Sequence, residues 1–165
     1  MQEQIPTINL ADFLTEGVTA IDQQALAVAC EDHGFFLLAG HGHDALVNEV
    51  FAQAQSFFGQ PTAVKRSVYR NESNPLGYYD RELTKQRRDL KEVFDFKTGG
   101  HISKNPLRHS RWPAQPQQLR PVLTDYFSAF TEIPCNCNNF HNPSSNFLCS
   151  YISSTYCEIS LFLTH

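Results

Sequence analysis

Residues 134–165 contain no lysine or arginine and a single acid, Glu158, so all 13 basic side chains and all but one of the 17 acids lie earlier in the chain. The chain as a whole has no basic excess: the formal net charge is −4 and the sequence pI about 5.9. Mild acidity gives no electrostatic reason to bind phosphate backbones or anionic lipid, so neither nucleic acid nor membrane is expected as a partner. The densest basic run, Lys85, Arg87 and Arg88, is flanked by Asp80, Glu82 and Asp89, the pattern of a solvated mixed-charge face. No run is apolar enough for a membrane-spanning helix. Met1-Gln2-Glu3-Gln4 lacks the basic and apolar regions of a secretory signal, which makes the cytoplasm the expected location and reduced thiols the expected state of the cysteines.

What is present suits a folded domain. The chain has 165 residues, 41% hydrophobic and 18% charged, enough for one core. Ile5-Pro6-Thr7-Ile8-Asn9-Leu10 alternates after a proline and reads as a strand, and Phe35–Ala39, bounded by Gly34 and Gly40, reads as a buried one. Leu90–Phe96 gives a third strand. Helical spacing recurs near 20–32, 44–58 and 117–130. The second is the clearest, with Leu46, Val47, Val50, Phe51, Ala54, Phe57 and Phe58 in one stripe and Gly59 and Pro61 as a stop. Pro121 must sit in the first turn of the third helix or kink it. Residues 71–80 are rich in turn formers and read as a loop. The expected class is α+β.

The chain changes character near Thr131. Four of its five cysteines, Cys135, Cys137, Cys149 and Cys157, fall after that point, among Asn and Ser. Cys135-x-Cys137 with His141 and Cys149 offers zinc-type ligands, but the spacing matches no established zinc pattern, and a tail without a fixed structure is the plainer reading. His41-Gly42-His43 puts two imidazoles on one strand face, yet the adjacent Asp44 is poorly aimed to complete a metal site. Cys30 falls on an apolar helix side and reads as a buried thiol. His33-Gly34 reads as the close of a helix.

The order of motifs is more specific than any one of them. Ile5-Pro6-x-Ile8-x-Leu10 is followed by Ala29-Cys30-Glu31-Asp32-His33-Gly34-Phe35-Phe36 and His41-Gly42. Then come Phe57-Phe58-x-x-Pro61-x-x-x-Lys65, Gly77-Tyr78, Asp89-x-Lys91-Glu92-x-Phe94, Trp112-Pro113 and Tyr126. Over residues 4–130 this series resembles the N-terminal region of the isopenicillin N synthase-like iron(II)/2-oxoglutarate oxygenases. The resemblance implies an N-terminal α/β segment (1–130) that packs on a jelly-roll catalytic domain, with 131–165 as a divergent tail outside the family fold. It also implies iron(II) and 2-oxoglutarate as cofactors of the whole enzyme, a small organic substrate, and a loop near the substrate entrance, where Tyr78 and Arg70 either meet a carboxylate-bearing substrate or only pack the loop onto the domain.

The same resemblance shows what this sequence lacks. The family holds iron with a His-x-Asp pair and a distant His, and the cosubstrate with an Arg-x-Ser. None of His33, His41, His43, His101, His109, His141 or His165 has an acid two residues later. No length is left for an eight-stranded jelly roll. No catalytic, metal or cofactor-binding residue is therefore expected in this chain, and whether it is an enzyme by itself stays open. Three readings follow: an N-terminal portion of an oxygenase, inactive alone; a partner of a separate chain bearing the jelly roll; or a non-enzymatic binding module reusing the fold. Uncovered strand edges and apolar surface lead to an expectation of poor solubility for the isolated chain.

Overall fold

In the computed structural model the described residues are 5–11, 24–25, 27–33, 36–81, 83–84, 87–88, 91–98, 104–106, 109–137 and 159–163. They fall into two units, Met1–Asp44 with Phe130–Ser154, and Ala45–Ala129 with Thr155–His165.

In the first unit, β1 (Thr7–Asn9) and β2 (Leu37–Ala39) pair in parallel, with Thr7 opposite Leu37 and Asn9 opposite Ala39. Parallel neighbours need a crossover. The described part of that crossover is helical at 24–25 and 27–28 and closes in a π-helical turn, Ala29–His33. This agrees with the expected helix near 20–32 as far as it is described. Ile8, Leu10 and Ala29 are buried. The expectation of a buried second strand fails: Leu37 is 55% exposed, because β1 is the only described strand paired with β2. At Gly40 the backbone takes φ +67°, and a Cβ there would displace the Asn9 side-chain oxygen, so glycine is favoured.

The second unit holds the main core. Helix α1 (Asp44–Phe58) matches the expected helix and buries Val50, Phe57 and Phe58. Phe51 is 70% exposed, not part of the buried stripe. One residue past Val50 it is rotated about 100° around the helix, off the face that Val50, Ala54 and Phe57 share. A five-residue helix, α2 (Thr62–Arg66), follows Pro61. The expected loop at 71–80 is part strand: after a turn in which Asn71 Oδ1 accepts the Asn74 N–H at 2.9 Å, Gly77–Tyr79 forms β3. Two further short strands, β4 (Leu83–Thr84) and β5 (Arg87–Arg88), pair with each other.

Strand β6 (Glu92–Phe96) is central, flanked by β3 on one side and by β7 (Ile159–Leu163) on the other, both antiparallel. Val93, Phe94, Asp95 and Phe96 are all buried, so this strand is covered on both faces. Helix α3 (Leu119–Cys137) begins with Pro121 in its first turn, where a missing N–H costs nothing. It outruns the expected end at 130, passing through Pro134, which supplies no N–H to the helical ladder. Leu119 and Leu123 join Phe57, Phe58, Tyr78, Phe94 and Phe96 in one core cluster. No described helix is long and apolar enough to cross a membrane.

Candidate functional site

The motifs that stand apart in sequence meet in the second unit. Lys65, near the end of α2, has a side chain only 5% exposed. Its ammonium has three N–H donors and finds three acceptors: the Phe58 carbonyl at 2.8 Å and the two Glu92 oxygens at 2.8 and 2.6 Å. The Phe58 carbonyl lies at the end of α1, where helical carbonyls lack intrahelical partners and a cation is favoured. One lysine thus caps α1 and ties it to the first residue of β6.

Tyr78 lies beneath this ion pair, its ring centroid 5.5 Å from the Lys65 nitrogen. The ring is fully buried and meets Phe57 edge-on at 6.1 Å. No acceptor stands in hydrogen-bond geometry to the Tyr78 hydroxyl, although the Glu92 carboxylate is close enough to act on it. Burial first, and then Glu92 and Asp80, push the phenol well above its ordinary value near 10. Gly77, one residue earlier, sits at φ +120°, and a Cβ there would strike the Val68 carbonyl. That carbonyl accepts the Tyr78 N–H at 2.9 Å, so the glycine permits the close approach that seats the tyrosine.

The two residues expected at a substrate entrance are brought together by backbone, not by side chain. The Arg70 N–H donates to the Tyr78 carbonyl at 2.9 Å. The Arg70 guanidinium turns away, stacks on the Tyr79 ring at 3.6 Å and reaches Asp95 Oδ2 at 3.2 Å. Its side chain is 26% exposed, whereas Tyr78 has no exposed surface. Arg66 pairs with Asp80 through two hydrogen bonds of 3.1 and 2.7 Å, but from a largely solvated position. Asp80 and Tyr69 neighbour one another, and burial followed by Asp80 raises the Tyr69 pKa.

Lys65 and Glu92 have a role that the sequence reading did not give them. Both stood in the motif series, and their opposite charges were the only signal of a pairing across 27 positions.

The histidine pair was the remaining metal candidate. His41 Nδ1 accepts the His43 N–H at 3.0 Å, which commits one of its two ring nitrogens. His41 Nε2 lies 3.9 Å from Asp44, whose side chain is 87% exposed. The two rings stack on each other with centroids 6.1 Å apart, and both rest against Phe130. Among the described residues no three His, Cys, Asp or Glu side chains gather as a metal site would require. The described residues do not fit a two-histidine, one-carboxylate iron centre. Of the cysteine-rich candidates, His141 and Cys149 lie outside the described residues, as do the side chains of Cys135, Cys137 and Cys30.

Comparison with known proteins supplies the family. A profile described as the N-terminal region of the non-haem dioxygenase in morphine synthesis matches residues 5–115. A homoarginine-6-hydroxylase of Arabidopsis thaliana is 30% identical over 118 residues, which are 66% of this chain and 33% of that protein. Gibberellin 20 oxidase 3 of Oryza sativa subsp. japonica is 39% identical over 75 residues, 45% of this chain and 20% of that protein. The chain thus spans a third or less of these two curated relatives. Among solved structures, Neurospora crassa T7H in complex with alpha-KG and thymine superposes with a TM-score of 0.59 at 18% identity, covering 87% of this chain and 50% of that one. A putative 2OG-Fe(II) oxygenase family protein of Caulobacter crescentus gives 0.55 at 16% identity, covering 83% and 50%. The fold is therefore that of an N-terminal segment in such oxygenases, and the chain belongs to the non-haem dioxygenase N-terminal family of 2-oxoglutarate- and iron(II)-dependent oxygenases.

Proposed function

We propose that this chain is the N-terminal portion of an iron(II)- and 2-oxoglutarate-dependent oxygenase acting on a small organic substrate, and that it has no activity alone. A jelly-roll catalytic domain is the partner that would complete it. One observation carries the reading: the family match fills residues 5–115, while the described residues assemble no iron ligand set. The contribution of this chain is then architectural. Lys65, Glu92 and the Tyr78 ring lock α1 onto β6 and so fix the strand against which further structure is laid. Tyr78 and Arg70 serve that same end: Tyr78 fills the core under β6, and Arg70 holds the turn before β3 through Tyr79 and Asp95.

Reading the nucleotide sequence downstream of this segment in all frames tests the proposal. A His-x-Asp, a distant His and an Arg-x-Ser in that order, with succinate release from the extended protein, are expected. Their absence from every frame would leave the oxygenase reading without a catalytic half.

A further inference from the structure

The strand that the core is built around has two edges, and they are filled differently. Three residues of β3 pair with β6, from Gly77 opposite Asp95 to Tyr79 opposite Val93. On the other edge β7 pairs with the whole length of β6, from Glu92 opposite Leu163 to Phe96 opposite Ile159. With β7 in place Val93 to Phe96 are buried, and the N–H and C=O groups along that edge are satisfied by strand pairing. Their partner belongs to the part of the chain least like the rest, which has no Lys or Arg from Phe130 to His165. The paired segment itself, Ile159-Ser160-Leu161-Phe162-Leu163, has no charge, no proline and no glycine. It therefore lacks the usual devices that keep a strand from pairing.

We propose that the edge of β6 away from β3 is a strand-acceptor site, and that Ile159–Leu163 is its built-in occupant, a cap that excludes other strands. What the edge accepts is an extended, uncharged, apolar segment running antiparallel to β6. With the cap displaced, the same sequence supplied in trans fills the site, since the contacts are identical within one molecule and between two. The inference concerns the edge alone and stands or falls independently of the oxygenase assignment.

The test uses the full chain, a Ser160→Pro/Leu161→Pro variant and a fluorescent peptide of residues 157–165. Consecutive residues of a strand direct their N–H groups to opposite sides, so one of the two prolines removes a donor facing β6. The expected results are slow amide exchange at Val93–Phe96 in the unaltered chain and no binding of the peptide to it. The variant should exchange those of the Val93–Phe96 amides that face β7 at least tenfold faster, bind the peptide, and regain protection when it is bound, while the amides that face β3 stay protected. A scrambled peptide should do neither. Rapid exchange at Val93–Phe96 in the unaltered chain overturns the proposal without recourse to the variant. So does equal peptide binding by both proteins, or a variant that keeps the near-ultraviolet signal of Trp112 and fails to bind.

Discussion

Replacing Lys65 by methionine keeps the length and apolar stem of the side chain and removes only the ammonium. The Phe58 carbonyl loses its 2.8 Å donor, and the Glu92 carboxylate, 13% exposed, loses the ammonium that both its oxygens accept from. Removing one partner of a buried ion pair costs about 3–5 kcal/mol. Glu92 retains some access to water, which places the expected loss at the lower end, about 3 kcal/mol. For a domain of ordinary stability, about 5–15 kcal/mol, that is a large share. With a urea slope of about 2 kcal/mol per molar, the midpoint should fall by about 1.5 M. Trp112, the one tryptophan, reports the transition, since it packs 5.7 Å from Phe94 and 5.4 Å from Phe96, in the strand that Lys65 anchors. Adding Glu92→Leu to Lys65→Met removes both charges and should recover the loss to within about 1 kcal/mol. A loss under about 1 kcal/mol in Lys65→Met, or a double variant weaker than the single one, would refute the claim that this pair is buried and structural.

The remaining predictions concern β3 and its surroundings. Tyr78→Phe deletes a buried hydroxyl that makes no hydrogen bond, so urea denaturation should show stability unchanged or raised, within about 1 kcal/mol. Gly77→Ala should cost about 1–3 kcal/mol in the same assay, because alanine is strained at φ +120° and its methyl meets the Val68 carbonyl. Tyr78 and Tyr69 both have raised pKa values in the fold, so the unfolded chain loses their protons first as pH climbs. Their contribution is fully present below about pH 10 and falls above it, and Tyr78→Phe should shallow that alkaline decline in thermal melts across pH 8–12.

The longer elements were legible in the sequence because repetition announces them. The apolar spacing of 44–58 gave α1 its bounds, but a stripe counted by hydrophobicity alone took in Phe51, which the helix angle turns outward. Helix α2 is shorter than two turns and shows no period at all. Strand β3 was hidden among Asn71, Ser73, Asn74, Pro75 and Gly77, which do form a turn before the chain straightens. The end of α3 was set near 130 because its apolar repeat stops at Phe130, whereas the helix runs on to Cys137. Partnership was harder to see than type. Nothing local says that β2 lies beside β1, that Lys65 reaches Glu92, or that Ile159–Leu163 lies along β6, since each depends on tertiary packing. The proposed entrance residues show the same limit: their residue types suggested a hydroxyl and a cation for a substrate, yet the Tyr78 side chain is buried and that of Arg70 is engaged by Asp95.

Anaerobic titration of the purified chain with iron(II) and 2-oxoglutarate, followed by admission of air and measurement of succinate, bears most directly on the claim that the chemistry lies outside these residues. The account predicts no stoichiometric metal-to-ligand charge-transfer band and no succinate above an iron-only control. A stoichiometric band with succinate release would contradict it, and would mean that His41, His43 or the cysteine-rich segment builds an iron site.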